Sequence, residues 1–301
     1  MKKILVTGSG GIGGVNFVRA LKIFSDKFFI VGTDFNKYYL QFADIDQRII
    51  SPRHSDPNFI NFLNKITEKY KIDFIHPQPS SEALVISQNL DSITTKTLLP
   101  PPNVISTDKL ETQKILSKLG IFVAKTKVIT NYEMISNIFE ELGVGPHWIR
   151  AKTGAGGNLS LLCNTPNEVE YWMKLWIIRG KANFNDFMLQ QYLPGRNIAW
   201  DSFWYNGKLV SSFTRERLEY PFKHISPSGI TGTPTVSKII VEKSVNKIGE
   251  DAVKSVHKKP HGNYAVDLKQ NIDGKWYVTE IDSGKFHTTT PLWGYISSKI
   301  F

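Results

Sequence analysis

The chain has 301 residues, a net charge of +10, and 41% hydrophobic and 12% aromatic residues, the balance of an ordinary globular protein with enough core for two or three domains. No stretch approaches the roughly 20 apolar residues of a membrane span, and the opening "MKKILVTGSGG" meets glycines too soon for the apolar core of a signal peptide. A single cysteine, Cys163, rules out an internal disulfide and fits a reducing cytoplasm, and the scattered lysines, with no arginine-rich arm, suit a nucleotide or an acidic metabolite rather than nucleic acid.

In chain order, "KILVT" (residues 3–7) reads as a buried parallel strand, "GSGGIGG" as a glycine-rich turn, and about Val15 to Phe24 as a helix. "FFIVGTDF" is a second strand ending near Asp34. Gly8, Gly10 and Gly13, with an acid about 20 residues on, match the dinucleotide fingerprint, which taken alone implies NAD. A helix over 58–70, a strand in "IDFIHP" and a helix in "SSEALVISQNL" make the first hundred residues a set of βα units.

The prolines of "LLPPPNVIS" mark a boundary. Beyond it, "STDKLETQKILSKLG" is a helix capped by Ser106, Thr107 or Asp108 and stopped at Gly120. "HWIRAKTGAGGNLSLL" gives two strands around a turn. It sets the cations Arg150 and Lys152 beside Gly154, Gly156 and Gly157, where backbone amides approach phosphate oxygens closely. "FMLQQYLPGRNIAWDSFWYNGKLVSSFTRERLEY" adds a strand, a Pro194-Gly195 turn, an Asn206-Gly207 hairpin and a basic strand end with Arg215 and Arg217.

In "NYAVDLKQNIDGKWYVTEIDSGKF" two strand-like runs flank Asp273-Gly274, a hairpin signal. With a two-residue loop, Ile272 pairs with Lys275 and Asp267 falls opposite Glu280, Cβ atoms about 5 Å apart, with Asp282 on the same face. A four-residue loop would shift the pairing by two and keep all three on one face, whereas a three-residue loop would separate them. Facing carboxylates repel, so the ladder asks for a counter-charge, and Mg²⁺ with substrate phosphates is one that fits.

A Rossmann-like start, a cationic strand with a glycine loop, the "YLPGRN" hinge and the D…E-x-D hairpin, in that order, resemble the ATP-grasp superfamily. More closely, the chain resembles its short carbamoyl-phosphate-synthase-like carboxylate–amine ligases, over Lys3 to about Trp293. The resemblance implies an α/β plus α+β architecture: a Rossmann-like pre-ATP-grasp domain over 1–100, then a two-subdomain ATP-grasp fold over 101–301, divided near 187/188. It implies ATP, two Mg²⁺ ions, an acyl-phosphate intermediate, small carboxylate and amine substrates, and compatibility with a homodimer. On it, Lys109 and Arg150 are phosphate-binding bases, helped by Lys152, and Gly154 to Asn158 is the loop over the phosphates. Gln190, Gln191, Tyr192 and Leu193 form the adenine hinge, and Asn197 stands where a ribose-binding Glu is usual. Asp267, Glu280 and Asp282 fall on the metal ligands. The usual E-x-N-P-R ending is replaced by Glu280-Ile281-Asp282-Ser283-Gly284-Lys285, so Lys285 lacks the guanidinium fork and the acyl-phosphate contact shifts toward Arg215 and Arg217. Only 19 residues follow Asp282, so the terminal helix is expected to be short or absent.

Two other readings stand beside this one. An NAD-dependent reductase or epimerase would use the N-terminal glycines, but the one Tyr-x-x-x-Lys pair, Tyr295 with Lys299, lies at the extreme C-terminus. A nucleotide-binding module without ligase activity is motivated by Asn197 and Lys285.

Overall fold

The computed structural model describes residues 1–23, 27–106, 108–153, 157, 159–230 and 234–287. Strands β1 (Lys2–Thr7), β2 (Phe28–Asp34), β3 (Gln47–Ile50) and β4 (Phe74–Pro77) form a parallel sheet in the order β3-β2-β1-β4, with α1 (Ile12–Lys22), α2 (Phe59–Tyr70) and α3 (Ser80–Gln88) between or after them. The near-continuous apolar run of β1, buried from Ile4 onward, is what a parallel strand covered on both faces requires. The strand order reverses between β1 and β4, so a crevice opens beyond their carboxyl ends, where the glycine turn and Gln78 to Ser80 meet. Helix α1 starts at Ile12, earlier than Val15, because Gly11 takes the extended N-cap conformation; the expected end at Phe24 lies outside the described residues.

The proline boundary holds a short helix, α4 (Pro102–Ile105), not anticipated from the sequence. Its Ile105 joins the core of the first sheet while Val104 joins that of the last. Helix α5 (Lys109–Lys118) follows, capped by Asp108, whose carboxylate accepts from the Leu110 and Glu111 amides; Thr107 lies outside the described residues.

A small antiparallel sheet, ordered β5-β8-β6-β7, comes next. It is built from β5 (Thr126–Val128), β6 (His147–Ala151), β7 (Leu161–Cys163) and β8 (Phe187–Gln191), and α6 (Ile135–Glu141) and α7 (Pro166–Ile178) bury its apolar face.

The last sheet runs β11-β10-β9-β12-β13, all antiparallel: β9 (Asn197–Tyr205), β10 (Lys208–Glu219), β11 (Val236–Ile240), then α8 (Lys243–Val256), β12 (Gly262–Gln270) and β13 (Trp276–Ser283). One face, with Trp200, Trp204, Tyr264, Val266, Leu268, Trp276, Val278 and Ile281, packs against α8 and α5. Gly249 lets α8 close on this face, since a Cβ there would stand 2.3 Å from the Trp200 ring. The other face carries the charged residues.

The terminal hairpin differs from the expected one in two ways that cancel. Its loop has three residues, closed by the Asn271 amide donating to the Lys275 carbonyl with Gly274 at φ +77°. Next to the loop the pairs are therefore Gln270–Trp276 and Leu268–Val278. A bulge at Thr279 then restores the other register, so Asp267 does lie opposite Glu280 and Ala265 opposite Asp282. The bulge also explains how Val278 and Ile281 both reach the core although an odd step separates them.

Candidate functional site

Alternation along β9, β10, β12 and β13 places Asn197, Asp201, Arg215, Arg217, Asp267, Lys269, Glu280 and Asp282 on the sheet face away from α8. Each of the three hairpin carboxylates meets a cation. Arg217 grips Asp267 with two parallel bonds, 2.9 and 2.5 Å. Glu280 accepts from Arg150 at 2.7 Å and lies 3.3 Å from the Lys109 ammonium. Asp282 is 2.7 Å from Lys285, which also donates to the Ser80 hydroxyl at 2.6 Å, and 3.5 Å from His287. The repulsion inferred for the ladder is thus offset by protein cations.

These pairings shape the ionisation of the groups. Burial works against the charge on Asp282, but Lys285 and then His287 outweigh it and hold the carboxyl well below the usual carboxylate range. Burial likewise opposes the Arg217 charge, and the paired Asp267 overcomes it and raises that group above its ordinary value. At Lys109 burial wins over Glu280 and lowers the ammonium pKa. Lys269 is pushed down to about 8 by burial and by repulsion from Arg217 and Arg150.

Three cavities open onto this face. The first is lined by Gln190, Gln191, Tyr192 and Leu193, the expected hinge, together with Asn197, Arg150, Gly157, Arg217, Asp267 and Glu280. Sequence reasoning missed four of its other lining residues: Trp148, Tyr220, Ile230 and Lys269. Trp148 and Lys269 come from different sheets and meet across the cleft, the ammonium 5.4 Å from the indole centroid. Asn197 accepts from Arg217 at 3.3 Å and donates to the Tyr220 hydroxyl at 3.1 Å. The signals available were Trp148 two residues before Arg150 and Lys269 two after Asp267, which strand alternation puts on the same faces.

The second cavity, about 1150 Å³, lies among α3, α5 and β13. The third, about 1160 Å³, lies between the charged face, with Arg215, Arg217 and Lys285, and the glycine turn, with Gly8, Gly11, Gly13 and Gly14. Arg215 is nearly inaccessible, held by Asp201 at 3.0 Å and by the His287 carbonyl at 3.0 Å. Lys152 is not among the residues lining any of the three cavities; the segment is tied down through its backbone, to Asp186 and Lys109. Gly154, Gly156 and Asn158 of the expected phosphate loop, and the Tyr295–Lys299 pair, lie outside the described residues.

The glycine turn is built for close packing. A Cβ on Gly8 would stand 2.2 Å from Pro79, on Gly10 2.3 Å from the Tyr39 backbone, and on Gly13 2.3 Å from Gln78. Asp34, the residue a dinucleotide ribose would need, accepts from the Gly10 and Asn36 amides. Nothing in this geometry favours the NAD reading.

The hairpin donors are hard carboxylate oxygens, the chemistry Mg²⁺ takes. Among the described residues no three His, Cys, Asp or Glu side chains converge on one point, because each carboxylate is turned onto its own cation. No described helix is long and apolar enough to cross a membrane.

No family model and no curated protein sequence matches the chain. In fold it is similar to L-amino acid ligase from Bacillus licheniformis (TM-score 0.65, 11% identity, covering 96% of this chain and 68% of that one). It is also similar to a biotin carboxylase–nucleotide complex from Campylobacter jejuni (0.68, 14%, 94% and 65%) and to N5-carboxyaminoimidazole synthetase from Staphylococcus aureus with ADP (0.66, 15%, 96% and 71%). The chain spans about two thirds of the length of the structures it matches. These are ATP-grasp enzymes, and the mixed parallel and antiparallel α/β architecture of this chain is the ATP-grasp fold.

Proposed function

We propose that the chain is an ATP-dependent carboxylate–amine ligase acting through an acyl phosphate. The observation that carries this reading is Glu280 of the terminal hairpin, which lines one cleft with Gln190 to Leu193, Arg150 and Asp267 and draws both Arg150 and Lys109 onto its carboxylate. ATP-grasp relatives crystallised with ADP or an ATP analogue support the same nucleotide here.

The roles follow from position. Backbone groups of Gln190 to Leu193 meet the adenine edge, and Asn197 with Tyr220 faces the ribose. Lys109, Arg150 and the amide of Gly157 receive the phosphates, charge-assisted contacts that strengthen as charge builds on the transferring group. Asp267, Glu280 and Asp282 would hold Mg²⁺, which when bound neutralises phosphate charge. Arg217 then has to loosen its grip on Asp267 and becomes available to the phosphoryl group. Lys285 and Arg217 orient the substrate carboxylate, and the deeply held Arg215 positions that wall. A carboxylate oxygen attacks the γ-phosphorus and ADP leaves; the amine nitrogen then attacks the acyl carbon and phosphate leaves. Positioning carries the chemistry, so no nucleophilic Ser or Cys takes part.

We take residues 1–100 as a Rossmann-like pre-ATP-grasp unit and 101–301 as the ATP-grasp domain. Small-molecule carboxylate and amine substrates and a homodimer are expected. A single cysteine, the buried Cys163, suits a cytoplasmic protein.

A screen for ADP release over amino acids and small carboxylates, with Mg²⁺, tests the reading. Turnover dependent on both a carboxylate and an amine is expected. Stabilisation by NAD but not by ATP–Mg²⁺ would overturn it.

A further inference from the structure

We propose that the second cavity, among α3, α5 and β13, is the amine-substrate site, and that its ligand is a primary amine with a short apolar body and a hydrogen-bond acceptor. The proposal rests on the ligase reading above and deepens it.

Glu280 lines all three cavities. A ligase must bring three substrates to one point, and here three chambers meet at one carboxylate. The first chamber has Gln190 to Leu193 and Arg150. Charge then separates the other two. The third is lined by three cations (Arg215, Arg217, Lys285) against three carboxylates (Asp267, Glu280, Asp282). The second has one cation, Lys109, against three carboxylates, Asp108, Glu280 and Asp282. Glu280 and Asp282 are common to both, so the difference is three cations against Asp267 in the third and Lys109 against Asp108 in the second; an anionic carboxylate is better placed in the third, and an ammonium meets less opposing charge in the second.

The lining of the second cavity refines the ligand. Leu84, Ile105, Leu116, Val278 and Ile281 give it an apolar floor. Gln113 also lines it and is only 7% exposed, yet its side-chain Nε2 has no hydrogen-bond partner among the described residues. A buried donor left unpaired is costly, and a turn of this side chain toward the cavity, which would bring the amide out from where solvent does not reach it, would let a ligand acceptor satisfy it. The partition from the third cavity is Lys285, bonded to both Asp282 and Ser80, two residues that line both chambers. An ammonium arriving at Asp282 competes with Lys285 and opens that partition toward the acyl phosphate.

The step balances. The ammonium gives one proton to water; the nitrogen lone pair forms the C–N bond as the acyl C–O bond breaks. Phosphate departs with that electron pair and takes the second nitrogen proton.

The test uses thermal shift of the whole protein with MgADP bound, adding the proteinogenic amino acids and n-butylamine at millimolar concentration. At least one amine should raise the melting temperature, while its hydroxy analogue, lacking the amino group, should not. Leu84→Trp, which fills the apolar floor, should keep the MgADP shift and lose the amine shift. Gln113→Leu should be at least as stable as the wild type and bind the amine about tenfold more weakly. If no amine shifts the MgADP complex, or if Leu84→Trp responds as the wild type does, the proposal is wrong. If MgADP itself fails to stabilise the wild type, the ligase reading falls instead.

Discussion

Replacing Glu280 by alanine separates the structural from the chemical role of the hairpin. The Glu280 side chain is 24% exposed and neutralises Arg150 and Lys109, themselves 16% and 8% exposed. Removing one partner of a fully buried pair costs about 3–5 kcal/mol. An open cleft admits water to the two stranded cations, so the cost here is about 1–3 kcal/mol. Set against the about 5–15 kcal/mol of a typical folded chain, the protein stays folded. Turnover should fall by at least about 10²–10³, the scale of losing one preorganised electrostatic contact in phosphoryl transfer. Nucleotide affinity without metal should hold or rise, because the carboxylate that competes with the phosphates for Lys109 and Arg150 is gone. Circular dichroism melting, calorimetric titration of ATP with EDTA, and ADP release read the three quantities. A folded Glu280→Ala protein that turns over within about tenfold of the wild type would refute the reasoning.

Arg217→Lys replaces a two-bond grip on Asp267 with a single ammonium contact, so turnover should drop more than ATP affinity does, read as separate changes in kcat and Kd. Gly249→Ala drives a methyl into the Trp200 ring and should cost about 1–3 kcal/mol, seen as a lowered melting temperature with unchanged ATP affinity. Glu82 is buried with its pKa raised to about 7, chiefly by burial, with Asp34 adding to the rise. The folded state therefore binds more protons than the unfolded one between about pH 4.5 and 7, and stability is lost as pH rises through that window. Glu82→Gln should be more stable than the wild type by up to about 3 kcal/mol at pH 8, the difference vanishing near pH 4, as measured by urea unfolding. His76, lowered to about 4 chiefly by burial, has the opposite slope, since stability is lost as pH falls below 6.5. Acid sensitivity should then steepen in the Glu82 variant.

What the sequence could and could not disclose is clearest in the hairpin. Asp267 opposite Glu280 follows from a two-residue loop that does not exist, because a three-residue loop and a bulge shift the register by one each and cancel. Both corrections had signals. Asn271 accepts from the Asp273 and Lys275 amides, a side-chain turn that lengthens the loop. The apolar residues Trp276, Val278 and Ile281 also break strict alternation, as an inserted residue must. The hinge, Arg150 and the glycine turn were readable because each is local: a strand with a loop carries its own pattern. The partners of the carboxylates were not, since Lys109, Arg150, Arg217 and Lys285 come from separate elements, and only packing decides which cation reaches which acid. The same holds for the cavities. Glu280 belongs to a motif, but its place at the meeting of three chambers depends on how α3, α5 and the glycine turn of the first sheet close over the last one. The Lys285–Ser80 bond and the two Gln78–Phe286 bonds tie that closure to the segment just after Asp282, so the first sheet is held to the last right beside the carboxylates of the site.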